Sequence, residues 1–238
     1  MTTKYIKFSI GKDMLRGSLF IPSGKGPFPG VIFLHGRGGS RTNYVLMAKS
    51  LAAKGIIALA FDFRGCGRSD GNFIDQTHLM GIEDGDAAVN FLLGQNVEIG
   101  RIGIQGSSFG GYVAAMLLDR YPFIKSLVLR VPAVYADSFL DTTVSAGEEK
   151  DFFGDKDNWV DASSYKKIAK FKGDLLVIQS EKDELIPQHA VRKYYDIALK
   201  VTSKKYFVQK NARHSIHDNP KARKEFNELT VKWFLETL

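Results

Sequence analysis

The sequence predicts an α/β fold: an eight-stranded, mostly parallel sheet flanked by helices, in a single domain over residues 1–238, with a small cap insertion near residues 131–172. Short apolar runs alternate with amphipathic helical runs along most of the chain, as βαβ units require. The length, 238 residues, suits one such domain. A Gly-x-Ser-x-Gly stretch, Gly106-Ser107-Ser108-Phe109-Gly110, falls where a strand-like run gives way to a helix-like run.

Residues 4–10 and 14–21 alternate polar and apolar side chains around Gly11-Lys12-Asp13, which predicts an antiparallel hairpin. Residues 22–29 form a Gly/Pro loop. Residues 31–34 read as a strand before a helix near 42–54. Residues 56–61 read as a strand before a helix near 76–93, where Leu79, Ile82, Val89 and Leu92 keep helical spacing. Residues 102–105 lead into a helix that opens after Ser108. Residues 127–129 and 175–178 are further strands, the second followed by a helix near 188–199. Residues 206–208 precede a final helix with Phe226, Leu229, Trp233 and Phe234 on one face. The alternation breaks once, over residues 131–172, where one helix would suffice. Tyr135, Phe139, Phe152, Phe153 and Trp159 fall there among acidic residues. A loop this long is usually functional. The expectation is a cap whose aromatics line an apolar substrate pocket. The alternative is a surface helix pair that covers the sheet edge.

At 44% hydrophobic residues the chain can bury a large core. Its first residues alternate like a strand and carry no apolar signal core. No apolar run approaches the roughly 18 residues of a membrane helix. The expectation is a cytoplasmic protein without a membrane span. A single cysteine, Cys66, excludes an internal disulfide and fits a reducing compartment. It lies among glycines in a loop, not at a strand-to-helix turn, so it is not read as a nucleophile. The net charge is +7. The denser lysines, such as Lys166, Lys167, Lys170 and Lys172, read as solvated faces. Basic residues do not interleave with exposed aromatics, so no nucleic-acid partner is expected. An acidic substrate or a mild preference for anionic surfaces is compatible with this balance.

At a strand-to-helix turn, Gly-x-Ser-x-Gly is a nucleophile elbow. Small neighbours let the turn close, and the Ser108 hydroxyl stands at a helix N-terminus, where developing negative charge is favoured. Gly67-Arg68-Ser69-Asp70-Gly71 matches the same expression. It lies in a glycine-rich loop with no helix opening behind it, so Ser69 is read as a turn residue.

A serine hydroxyl needs an imidazole to take its proton, and the imidazole needs an acceptor to fix its tautomer. On folds with this elbow the acid follows the serine and the histidine follows the acid, each in a loop after a strand. Asp183 is the candidate acid, in Ser180-Glu181-Lys182-Asp183-Glu184, and Glu181 and Glu184 are rivals of the same type. His214 is the candidate base, in Asn211-Ala212-Arg213-His214, with His217 as its rival. A metal reading of His214 and His217 needs further ligands, and none cluster nearby, so neither metal nor cofactor is expected. His78 and His189 read as helix-surface residues. The oxyanion needs two backbone N–H donors. Phe109 supplies one, and Arg37, in the loop His35-Gly36-Arg37-Gly38-Gly39, supplies the other. His35 reads as structural. The Arg37 side chain faces either solvent or an anionic substrate group.

With these residues the chain resembles the α/β-hydrolase superfamily over essentially its whole length. It looks closest to small bacterial carboxylesterases with short caps, of the cinnamoyl and feruloyl esterase type. The resemblance rests on His35-Gly36, the run Asp62-Phe63-Arg64-Gly65-Cys66-Gly67-Arg68-Ser69, the elbow, Asp183 and His214. It implies an α/β-hydrolase sheet and a serine carboxylesterase that acts on small to medium acyl or aryl esters through an acyl-enzyme, its partner a small-molecule ester. A peptidase or an acyltransferase would use the same triad. A third reading is a non-catalytic binding protein on the same fold, against which the complete Ser, Asp and His set argues. Dehalogenase and epoxide-hydrolase chemistry would call for aspartate at the elbow.

Overall fold

Alternation along one strand, β3 (Phe28–Leu34), sets the architecture. Ile32 and Leu34 join one hydrophobic cluster, Val31 and Phe33 join another, and all four are fully buried. A strand with period two that is apolar on both faces must be covered on both sides. The computed structural model describes residues 1–143 and 161–238 and shows how that is done.

The other strands are β1 (Thr2–Ile10), β2 (Asp13–Ile21), β4 (Ile57–Asp62), β5 (Val97–Ser107), β6 (Ile124–Arg130), β7 (Asp174–Lys182) and β8 (Ser203–Arg213). They form one eight-stranded sheet in the order β1-β2-β4-β3-β5-β6-β7-β8. Within it only β2 runs against its neighbours, pairing antiparallel with both β1 and β4. The hairpin turn is Gly11-Lys12, with Ile10 opposite Asp13 and Gly11 at φ 54°. The loop expected up to residue 29 ends earlier, because β3 already pairs Phe28 with Val97. Pro29 falls in the register shift between Phe28 and Gly30, where a missing N–H breaks no regular ladder.

Helices α2 (His78–Leu93), α3 (Phe109–Met116), α4 (Ser163–Lys170) and α5 (Gln188–Asp196) cover one face, α1 (Val45–Ala53) and α6 (Pro220–Thr237) the other. Helix α4 lies inside residues 131–172. Its Tyr165 hydroxyl donates to the carbonyl of Ala190 in α5 at 2.9 Å, and Tyr165 and Ile168 are buried in the first cluster. This part of the segment therefore belongs to the helical layer. Asp137 ties the two described ends of the segment together, accepting from the Ser163 N–H at 3.1 Å and its hydroxyl at 2.6 Å. Among the described residues no helix is long and apolar enough to cross a membrane. The parallel strands β3 to β8 bring their carboxyl ends to one edge, where ligands of open α/β sheets bind.

Candidate active site

Ser108 forms the turn between β5 and α3 at φ 51° and ψ −119°. For a residue with a Cβ this conformation costs on the order of 1–3 kcal/mol, so the surroundings must impose it. The Ser108 N–H donates to the Arg130 carbonyl at 2.9 Å, and its own carbonyl accepts from Gly111 at 2.9 Å and Ala133 at 3.0 Å. The two glycines of the motif are required by contact. A Cβ on Gly106 would lie 2.2 Å from the Gly110 carbonyl oxygen, and one on Gly110 would lie 2.1 Å from the Leu34 carbonyl oxygen. The elbow closes only because both positions lack a side chain.

The structure brings the three predicted side chains together. His214 Nε2 lies 3.0 Å from Ser108 Oγ. His214 Nδ1 lies 2.9 Å and 3.0 Å from the two Asp183 oxygens. The Asp183 side chain is fully buried, and its Oδ1 also accepts the N–H groups of Leu185 and Ile186, each at 2.9 Å. Those bonds fix the carboxylate from the main chain of its own loop. An Nδ1–H held by Asp183 leaves Nε2 as the acceptor that faces the serine hydroxyl.

The rival acids have other work. Glu181 accepts the Asn211 N–H at 2.7 Å and the Lys210 ammonium at 2.7 Å. Glu184 accepts the His214 N–H at 3.1 Å and lies 3.5 Å from the Arg213 guanidinium. The Lys210 hydrogen bond holds the Glu181 carboxyl below its ordinary range. Partial burial pushes the Glu184 carboxyl up, but the His214 N–H and Arg213 carry it below its ordinary value. Both glutamates brace the main chain that carries His214. The rival base, His217, is exposed and lies 3.5 Å from the Asn43 amide.

The rival serine is consumed structurally. Ser69 Oγ donates to the Asp62 carbonyl at 2.6 Å and accepts the Arg16 N–H at 2.9 Å. Cys66 is buried, and desolvation pushes its thiol up to about 11, far from a thiolate at neutral pH. His35 is wholly buried. Its Nδ1 donates to the Gly36 carbonyl at 2.7 Å and its Nε2 accepts the Phe63 N–H at 3.1 Å, which pins the loop after β3 to the end of β4. That loop passes directly over the elbow, since a Cβ on Gly36 would stand 3.3 Å from Ser108 Cβ and 4.0 Å from its Oγ. The Arg37 backbone is therefore next to the serine, and Phe109 is the first residue of α3.

His78 departs from its expected surface position. It is 3% exposed, with its ring 4.1 Å from that of Tyr135 and its Nδ1 3.2 Å from the Thr142 carbonyl. Residues 137–143 fold back over the start of α2, where Leu140 also accepts the Leu79 N–H at 2.8 Å. Burial and the nearby Arg37 cation push the His78 imidazole down to about 4.

Ser108 and His214 open onto a cleft of about 470 Å³. Of the five aromatics expected to line a pocket, Tyr135 does. Phe139 packs against the first core cluster and is not among the described lining residues. Phe152, Phe153 and Trp159 lie outside the described residues. Much of the wall is one that the sequence reading did not anticipate. Tyr44 comes from the turn before α1, Leu46 from the first turn of α1, Arg130 from the end of β6, and Arg223 and Phe226 from α6. No local signal marks these residues, because the elements that carry them are far apart in the chain.

Residues 27–147 match the family model described as serine aminopeptidase, S33. The acyl-coenzyme A amino acid N-acyltransferase 2 of Rattus norvegicus is 28% identical over 207 residues, which is 77% of this chain and 47% of that protein. The acyl-coenzyme A thioesterase 1 of Homo sapiens is 32% identical over 121 residues, 49% of this chain and 26% of that protein. The chain thus spans less than half the length of these two relatives. The structure of Est1E from Butyrivibrio proteoclasticus with ferulic acid bound superposes with a TM-score of 0.76 at 19% identity, covering 98% of each chain. At that identity the likeness shows a shared fold, the α/β-hydrolase sheet.

Proposed function

The chain belongs to the serine aminopeptidase, S33, family of α/β-hydrolases, and on that premise we propose that it is a serine carboxylesterase acting on small to medium acyl or aryl esters. The observation that carries the proposal is the contact of His214 Nε2 with Ser108 Oγ at 3.0 Å, with the opposite ring nitrogen held by a buried carboxylate. Ser108 Oγ attacks the ester carbonyl as its proton passes to His214 Nε2, and Asp183 stabilises the imidazolium. The backbone N–H groups of Arg37 and Phe109 receive the carbonyl oxygen as it becomes an oxyanion. The tetrahedral intermediate collapses, the C–O bond to the alcohol breaks, and His214 returns the proton to the leaving oxygen. Water, deprotonated by His214, then releases the acid and restores Ser108.

An aminopeptidase must also hold the ammonium of a free N-terminus, which calls for a carboxylate beside the scissile bond. Among the described residues that line the cleft, none is Asp or Glu. The rat relative's name favours a second reading, acyl transfer, in which an amine instead of water resolves the acyl-enzyme. The test is hydrolysis of 4-nitrophenyl butyrate, with mass-spectrometric detection of fluorophosphonate labelling on Ser108. Turnover and a single adduct on Ser108 are expected. A folded protein that does neither would falsify the proposal. Faster loss of the ester with added glycine, and formation of the amide, would instead favour acyl transfer.

A further inference from the structure

Several arginines of the chain have a carboxylate partner. On the outer surface Arg192 pairs with Asp196 at 2.9 Å, Arg120 with Asp86 at 2.7 Å and Arg101 with Glu98 at 3.2 Å. Buried Arg64 has Asp84 at 2.6 Å. Two arginines of the cleft, Arg130 and Arg223, differ.

Arg130 is 4% exposed, and its hydrogen bonds go to neutral groups alone. Nε donates to Gln209 Oε1 at 3.2 Å, Nη1 to the His214 carbonyl at 3.0 Å, and Nη2 to Ser180 Oγ at 2.9 Å and the Arg213 carbonyl at 3.3 Å. These bonds use four of the five N–H groups of a guanidinium and leave one on Nη1. The Asp183 carboxylate, which attracts Arg130 from a distance, is already committed to His214 and to two main-chain N–H groups. Burial accordingly pushes the Arg130 guanidinium down to about 10. A buried charge without a counter-ion is costly, and a bound anion removes that cost.

Arg223 stands one helical turn before Asn227 on α6, and both line the cleft with Phe226. Arg223 is exposed, and among the described residues no carboxylate lies within ion-pair distance of it. The same wall includes apolar Tyr44, Leu46, Ile216 and Phe226, and the Arg130 guanidinium lies 5.6 Å from the centre of the Phe226 ring. A net charge of +7 adds a long-range attraction for anions.

We infer that the cleft selects esters carrying an anionic oxygen group, in the simplest case a carboxylate, which sits between Arg130 and Arg223 while the ester carbonyl lies at Ser108. The inference rests on the esterase reading and deepens it by naming the substrate class. Arg130 provides the desolvated end of the subsite and also ties β6 to the main chain of His214. Arg223 provides the solvent-facing end. The apolar residues of the same wall accept the short spacer that separates carboxylate from ester. A guanidinium matches a carboxylate in planar geometry, and a charged hydrogen bond of this kind is worth about tenfold in binding.

The test compares esters of equal length that differ in charge. 4-Nitrophenyl hydrogen glutarate against 4-nitrophenyl valerate places the carboxylate on the acyl side. 4-(Butyryloxy)benzoate against its methyl ester places it on the leaving-group side. The expected result is a kcat/KM at least about tenfold higher for the anionic member of one pair, which identifies the side of the scissile bond that faces Arg223. Arg223→Gln should reduce that ratio about tenfold, and added salt should reduce it further. Equal kcat/KM within both pairs, or a ratio indifferent to Arg223→Gln, overturns the inference and leaves the esterase reading standing. If no ester is turned over, the esterase reading falls, and the subsite is judged by binding alone. Calorimetric titration of the Ser108→Ala protein with hydrogen glutarate should then give a Kd that weakens about tenfold when Arg223→Gln is added. An unchanged Kd, or no detectable binding, overturns it.

Discussion

The carboxylate of Glu184 accepts the main-chain N–H of His214 at 3.1 Å. The residue before it, Asp183, takes the ring of the same histidine at 2.9 Å. Two consecutive acids in one loop thus hold one residue by different handles. Asp183 orients the imidazole, while Glu184 fixes the backbone from which the imidazole is projected. Glu181 extends the brace through the Asn211 N–H, at 2.7 Å, and Asn211 itself has φ 56°.

This division predicts unequal losses. Asp183→Asn should lower kcat about 10³-fold or more, because an amide can present its N–H to Nδ1 and favour the wrong tautomer. Glu184→Gln and Glu181→Gln each keep an acceptor oxygen for the same N–H and should cost less than about tenfold. Turnover of 4-nitrophenyl butyrate by the three purified variants measures this. A collapse confined to Glu184→Gln would reassign the acid.

Ser69→Ala separates the two Gly-x-Ser-x-Gly matches by stability. Its hydroxyl makes two hydrogen bonds, to the Asp62 carbonyl and from the Arg16 N–H, so the substitution should cost about 1–3 kcal/mol in urea unfolding. The folded fraction should retain turnover and labelling. Ser108→Ala should do the reverse, with no turnover, no label and a cost in stability of at most about 1 kcal/mol, since its hydroxyl has a single side-chain contact, with His214 Nε2.

His217→Ala should leave kcat within about tenfold of the parent, whereas His214→Ala should lose about 10⁴-fold or more. His217 lies at the cleft rim, 3.5 Å from the Asn43 amide and without an acid behind its ring among the described residues. Should His217→Ala be the inactive protein, the loop after β8 would have to rearrange in solution to bring that ring to Ser108.

His78 predicts a pH dependence of stability. Its imidazole is pushed down to about 4 in the fold, against an ordinary value of 6.5 when unfolded. Between these values the unfolded chain binds the proton and the folded chain does not. Stability is therefore full above about pH 6.5 and falls as the pH drops toward 4, by about 3 kcal/mol from this residue. His78→Phe removes the term. Urea unfolding of both proteins at pH 7.5 and at pH 4 should show the parent losing about 3 kcal/mol more than the variant. Equal losses would place the ring in contact with solvent.

The amino-acid pattern alone determined the alternation of strands and helices, the buried sheet and the elbow. Each follows from neighbours within one or two turns of chain. Ile32 and Leu34 alternate with Val31 and Phe33, and glycines flank a serine between a strand and a helix. Chain order likewise singled out Asp183 and His214. Only the tertiary structure decided that Glu181 and Glu184 hold main chain instead of the ring. That choice depends on the pairing of β7 with β8 and the register shift between Ser180 and Lys182. It also buried His78, by folding residues 137–143 over α2, and it assembled a cleft wall from Tyr44, Arg130 and Arg223. Secondary structure answers to local sterics and side-chain periodicity, which a sequence displays directly. Whether a polar side chain is covered, and which charge it meets, depends on segments distant in the chain that only folding brings into contact.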